Sequence, residues 1–513
     1  MRSTFMGLET SKRGLYTQQS ALYTTGHNIA NANTPGYTRQ RVNMQATSGF
    51  PGIGLNAGTQ PGFLGTGVEA GSIQRIRDSF VDYQYRGEAN KLGYWESRSK
   101  AIAHMEDVLG EPSEYGLQQS ISDFWQSLQT LATNPENGGA RAVVVERGVE
   151  ISDSFNYVHK LLSEIRNNYA VEIDFSANDI NTTLKQISEL NRQIADVEPN
   201  GFLPNDLYDA RDGLLDKLAT HLPIEVSYEK TGGRALAFSE GTVTIQIKTT
   251  GAPITVLQKL EYSTLTVDGK DTDGNLPEHI TGFTFNGPPA TNRGDGNLPV
   301  GNMVKDGELS SHVESYGYVD AGTPKGLYTD MLVKIDKMAA EFATVFNKIH
   351  TSGTDLQGQQ GKDFFIAKTG GTITASSIGI NDILIKNPNK VAASTSEPES
   401  GPEVGNGGNA KKLADALFKK LPGLGGSSLQ TYYSQAIGEL GVAGQQAVKM
   451  TDNTGTLLLA ISNRRDSIIS VSLDEEMTDM IRFQQAYNAS ARMITVMDEA
   501  IDKIVNGMGL SGR

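Results

Sequence analysis

The chain has 513 residues, enough for roughly three domains at about 100–200 residues each. Its 45 Lys and Arg against 59 Asp and Glu leave a net charge of −14, and cationic clusters such as Arg39–Gln40–Arg41 hold only two basic residues, which argues against a nucleic-acid partner. Cys is absent, which excludes a disulfide scaffold, a thiolate zinc site, an iron–sulfur cluster and a Cys nucleophile together.

The N-terminus, Met1–Arg2–Ser3–Thr4–Phe5–Met6–Gly7, lacks the apolar core of a secretory signal, and no run of about 18 apolar residues follows anywhere. The expectation is a soluble, uncleaved protein with no membrane span, exported, if at all, by a route that does not read an ordinary signal. The first thirty residues carry Leu8, Leu15, Leu22 and Ile29 at strict seven-residue spacing, continuing the step from Met1. The column four residues on is poor: Phe5, Lys12, Gln19 and Gly26. This predicts an amphipathic helix with a narrow apolar stripe.

A Pro-Gly turn follows, within His27–Asn28–Ile29–Ala30–Asn31–Ala32–Asn33–Thr34–Pro35–Gly36–Tyr37. From about Ile76 to Val197 the apolar spacing is helical, with a polar break at Asn191, and reads as a bundle. Asn205 to Leu218 reads as a short capped helix whose Asp209 pairs only weakly at a surface. From Pro223 the texture alternates, clearly in Thr242–Lys248, and predicts a β-rich unit over 223–325. Helical spacing resumes from Leu327 to Ile349, residues 362–395 look strand-rich with a hairpin, Glu397–Gly408 reads as an exposed loop, and Leu429 to Ser470 is helical again.

The last forty residues repeat the heptad more fully. Leu473, Met480, Tyr487, Ile494, Ile501 and Met508 are seven apart, flanked by Met477, Phe483, Ala491, Met497, Ile504 and Val505. A period of 3.5 favours a left-handed coiled coil. A single narrow stripe does not hold a long helix in water without a partner. The two ends are therefore expected to pack on each other and on neighbouring molecules, to be disordered in the monomer and to finish folding on assembly.

Little chemistry survives. No two of the seven His stand at i,i+3 or i,i+4. Gly358–Gln359–Gln360–Gly361–Lys362–Asp363 lacks the first P-loop glycine and the magnesium-binding hydroxyl. Gly52-x-Gly54 and Gly65-x-Gly67 have their third glycine one position too far for a dinucleotide turn. Asp271–Thr272–Asp273–Gly274 lacks the terminal Glu of a calcium loop, so a hairpin turn is expected. Glu475–Glu476 are read as solvated on a helix surface. No catalytic, cofactor or metal constellation is predicted.

The segment Asn28, Asn31, Asn33, Thr34, Pro35, Gly36, Tyr37 after a Gly-Leu-rich helix resembles the signature of bacterial flagellar axial proteins, the rod, hook and hook-associated proteins. Thr38–Arg39–Gln40, the stretch Asn205–Leu218 and the turn from His350 to Gly358 are similar to the hook-associated protein 1 branch. That resemblance implies a multidomain α+β chain. Its terminal helices would pair as a coiled coil (1–70 with 471–513), around a discontinuous helical bundle (71–222 with 326–470) and an inserted β-rich outer domain (223–325). It implies a non-enzymatic, extracellular junction subunit, self-assembled into a ring. The partners implied are hook protein, the second hook–filament junction protein, and an export chaperone on the C-terminal helix. Three rivals stay open: another axial protein such as hook or rod, a secreted adhesin using Arg293–Gly294–Asp295, and a cell-wall hydrolase.

Overall fold

The computed structural model describes residues 5–50, 65–110, 116–272, 274–290, 296–368, 370–398, 401 and 403–506. Arg293–Gly294–Asp295, Asp273, Gly52, Gly54, Met1 and Met508 lie outside them.

Helix α1 (Met6–Ala30) opens the chain and is followed by β1 (Gln40–Ala46) and β2 (Val68–Arg75). These strands pair antiparallel from Gln40 opposite Arg75 to Ala46 opposite Val68. This hairpin falls inside the segment expected to belong to the terminal coiled coil. Val42, Met44 and Ala46 alternate with Arg41, Asn43 and Gln45 in β1, a strand pattern that a coiled-coil assignment of the whole segment leaves out.

Three helices follow: α2 (Ser79–Leu109), α3 (Leu117–Thr133) and α4 (Gly138–Val197). Asp78 caps α2 by accepting from the Phe80 amide at 2.9 Å, and Asn137 caps α4 through the Gly139 and Ala140 amides. At 1.5 Å per residue α4 is about 90 Å long. Helices α2 and α3 and part of the β region pack along it. Helix α5 (Asn205–His221) turns back along it.

The β region contains β3 (Ile224–Glu229), β4 (Thr242–Ile247), β5 (Ile254–Gln258) and β6 (Glu261–Tyr262) in one antiparallel sheet, in that order. A second sheet runs β7 (Thr264–Val267), β8 (Gly282–Asn286), β9 (Asn297–Pro299). Both are stitched to α4. The Asn191 amide donates to the Val243 and Lys259 carbonyls at 3.0 and 2.7 Å and accepts from the Val243 amide at 3.1 Å. Asn181 makes the same two-way contact with Leu265. The polar break in the α4 stripe is thus the docking point of the sheet, which needs hydrogen-bond partners where an apolar residue offers none.

Beyond the β region come α6 (Glu308–Tyr316), the short pair β10 (Tyr318–Asp320) and β11 (Thr323–Lys325), and α7 (Leu327–His350). The segment expected to be strand-rich holds only β12 (Phe365–Ala367) and β13 (Ile378–Ile380), paired as a small hairpin, then α8 (Asp382–Lys386). Helix α9 (Gly408–Ala416) precedes the long α10 (Leu429–Ile469) and the terminal α11 (Leu473–Val505). Phe124, Phe342, Phe346, Phe364 and Phe365 form one aromatic cluster that fastens α3, α7 and the β12–β13 hairpin together, with centroids from 4.9 to 6.3 Å apart.

Candidate functional site

The two ends of the chain meet as an antiparallel helix pair, α1 against α11. A side chain at Gly7 would place its Cβ 2.8 Å from Met497 Cε, and one at Gly14 would lie 3.3 Å from Ser490 Oγ. At the base of the pair the Asn28 amide donates to Glu476 Oε2 at 3.1 Å. Seven-residue steps up α1 therefore match seven-residue steps down α11, and the same stepping sets Ala21 level with Phe483. The column of α1 that faces its partner is Gly7, Gly14, Ala21, Asn28. Small residues there let the backbones approach closely, so larger residues of α11 fill the seam.

The predicted columns flank this seam. Leu8, Leu15, Leu22 and Ile29 are half-buried, as are Met480, Tyr487, Ile494 and Ile501. Leu473 stands 47 % exposed at the start of α11. Among the described residues of α11 only Glu476 is fully buried, whereas Met477, Ile481, Met493 and Val496 are exposed. Tyr16 and Tyr23 are exposed on α1.

The Asn-rich turn supplies the base of the pair. Asn28 is buried and uses all of its side chain. Besides Glu476 it donates to the Gln40 carbonyl at 2.8 Å, and its oxygen accepts from the Gln40 amide at 3.0 Å and the Tyr37 hydroxyl at 2.8 Å. Burial, reinforced by Asp206, Asp209 and Glu476, raises the Tyr37 hydroxyl above its ordinary range, so it remains a neutral donor. Asn31 follows the helix end and donates to the His27 carbonyl, while Thr34 donates to Asn31 Oδ1 at 3.2 Å. Gly36 has φ +80°, a left-handed conformation that suits glycine. Asn33, Thr34 and Pro35 are exposed and shape the turn.

Glu476 corrects the expectation of a solvated carboxylate. It is 2 % exposed and also accepts from Arg39 Nε at 2.7 Å, while Arg39 Nη1 reaches Glu475 at 2.7 Å. The readable signal was its spacing. Glu476 and Ser490 interrupt the column that otherwise carries Phe483, Met497 and Ile504. A polar residue in a coiled-coil core column marks a specific partner.

Below this base lies a buried ionic joint. Helix α5 places Asp209, Asp212 and Asp216 along one face. Asp212 pairs with Arg75 at 3.0 Å, Arg77 at 2.9 Å and Arg86 at 3.1 Å. Asp209 takes Arg75 at 2.6 Å and the Thr38 amide at 3.0 Å. Asp216 binds Arg86 at 2.8 Å and Arg465 at 2.7 Å, and Asp82 binds Arg77 and Arg465. Glu240, in the β3–β4 connection, closes the set with Arg75 and Arg211, so one edge of the β region reaches the joint. Burial alone would raise the Asp212 carboxyl, but Arg77, Arg75, Arg86 and Arg211 outweigh it and hold Asp212 well below the usual carboxylate range. The reading of Asp209 as a weak surface partner is therefore corrected. Its partners Arg75 and Thr38 lie 134 and 171 residues away and leave no local trace.

The turn after α7 is structural. His350 Nε2 accepts from the Ala392 amide at 2.9 Å, and Nδ1 donates to the Lys362 carbonyl. Asp355 Oδ1 receives the Gln357 and Gln359 amides, both at 2.8 Å, which makes the glycine-rich stretch a side-chain-capped turn.

A model described as the flagellar hook-associated protein FlgK helical domain matches residues 102–365. Flagellar hook-associated protein 1 of Bacillus subtilis is 43 % identical over the full length of both chains. The chain belongs to the flagellar hook-associated protein 1 family. The family's counterpart in Escherichia coli is 24 % identical over 97 % of this chain and 99 % of its own. A basal body rod protein model matches residues 8–38, and a rod FlgEFG C-terminal model matches 470–507, which are α1 with its turn and α11. The fold of the chain is also similar to a solved structure, the flagellar hook junction protein FlgK from Burkholderia pseudomallei. It has TM-score 0.60 and 14 % identity, over 76 % of this chain and all of the other.

Proposed function

We propose that the chain is a structural subunit that joins the flagellar hook to the filament. The terminal pair α1–α11 is the assembly element, and the ionic joint transmits its position to the helical body. The observation that carries this reading is the imbalance of α11: one fully buried residue among those described, a carboxylate, against a row of exposed apolar side chains. Such a row wants cover, and neighbouring subunits stacked in a helical tube supply it through repeated heterologous contacts. Hook protein on one side and the second junction protein on the other are the partners this assembly calls for. Before assembly, an export chaperone shields Met480, Tyr487, Ile494 and Ile501. The polypeptide leaves through the flagellar export apparatus without cleavage.

The test is Ile494→Asp in a strain lacking the chromosomal copy. Hooks without filaments, and filament protein lost to the medium, are expected, with the purified variant melting at the unaltered temperature for its helical body. Normal filament growth in that strain would contradict the assembly role.

A further inference from the structure

We propose that the buried rung Asn28–Glu476, tied to Arg39, sets the register of the terminal helix pair. Both partners in the pair repeat every seven residues: Gly7, Gly14 and Ala21 on α1, Phe483, Ser490, Met497 and Ile504 on α11. Sliding α1 outward by one heptad sets Gly14 against Met497, Ala21 against Ser490 and Gly7 against Ile504. Small residues again face larger ones, so the packing of the seam barely distinguishes the two arrangements.

The connection permits the slide. A heptad is about 10 Å of helix, and the residues from Asn31 to Thr38 reach about twice that when extended at about 3.3 Å per residue, once the backbone bonds from the Thr34 amide to Asn31 and from the Tyr37 amide to Thr34 open. The slide also breaks the bond from the Thr17 hydroxyl to the Val68 carbonyl on β2, but that hydroxyl keeps the Arg13 carbonyl within α1 as a partner, whereas the bottom rung has no such substitute. Asn28 would face Phe483 and lose its contacts to Glu476, the Gln40 backbone and the Tyr37 hydroxyl. Glu476, buried and bonded to Asn28 and Arg39, would lose its Asn28 partner. Leaving buried polar groups unpaired is strongly unfavourable, so the rung discriminates where the apolar seam does not. Asn28 and Glu476 act here as positioning residues.

The protein's lack of Cys makes disulfide trapping a clean measurement on the full-length chain. Gly14→Cys with Ser490→Cys reports the observed register, since those positions already lie in contact. Ala21→Cys with Ser490→Cys reports the slid register; in the observed one that pair is a full heptad apart, beyond disulfide reach. With the rung intact, only the first pair should close on mild oxidation. With Asn28→Leu and Glu476→Leu together, closure of the second pair should rise at least tenfold, whereas Glu476→Gln, which keeps the acceptor, should leave the first pair dominant. The proposal is overturned if the double leucine variant still closes only the first pair. It is equally overturned if the second pair closes with the rung intact. Loss of both cross-links in the leucine variant overturns it too, because the rung would then govern whether the pair exists rather than how it is aligned.

Discussion

Arg75 and Asp212 meet 3.0 Å apart with both side chains 3 % exposed, and through them the end of β2 is tied to α5. Removing one member of a buried ion pair leaves the other charge uncompensated, which is far more damaging than the net worth of the pair. Asp212 faces three guanidinium groups directly. Asp212→Ala is therefore expected to destabilise the helical body by about 3–5 kcal/mol, read as a lowered urea midpoint. An unchanged midpoint would mean that the joint carries no stability.

His350 gives a pH signature. Its two ring nitrogens are satisfied only in the neutral form, because Nε2 already accepts a backbone N–H and has no place for a proton. Burial lowers its pKa to about 4. The unfolded chain takes up this proton near pH 6.5, so the contribution of neutral His350 is complete above that pH. It is lost progressively as the pH falls from 6.5 to about 4, by about 3 kcal/mol in all. Stability measured from pH 7.5 to 4 should show this fall, and His350→Gln should flatten that part of the curve.

Gly14 faces Ser490 across the seam, where the helices leave little room for a large side chain. Gly14→Leu gains helix propensity of about 0.8 kcal/mol but forces a bulky group into a seam where a Cβ already lies 3.3 Å from Ser490 Oγ. Overpacking of this kind typically destabilises by about 1–3 kcal/mol. Faster amide exchange confined to Met6–Ala30 and Leu473–Val505, with the melting of the remaining body unchanged, is the expected outcome.

Much of the architecture was readable in sequence because it rests on periodicity. The heptads at both ends announced α1 and α11, and alternation announced β3 and β4. The seam itself was hidden. Gly7, Gly14, Ala21 and Asn28 keep the same seven-residue step as the leucines, but they carry little hydrophobicity and so leave no stripe. The joint was hidden for a different reason. Asp209 and Asp212 look like ordinary surface acids until Arg75, Arg77 and Arg86 are folded against them, and charge pairing over such separations has no local pattern. Helix α9 was lost to its glycine and asparagine start, which reads as the continuation of a loop.

Amide hydrogen exchange on the isolated full-length chain tests the central claim most directly. Buried residues line α4 throughout, whereas α11 has one among those described and α1 has Thr17, Ala21, Thr24, Thr25 and Asn28, of which only Ala21 is apolar, so the terminal pair has little apolar core to hold it until neighbours cover it. Amides of Met6–Ala30 and Leu473–Val505 should exchange together and at least a hundredfold faster than those of Phe155 to Ile187. Terminal helices as well protected as that stretch of α4 would contradict the account.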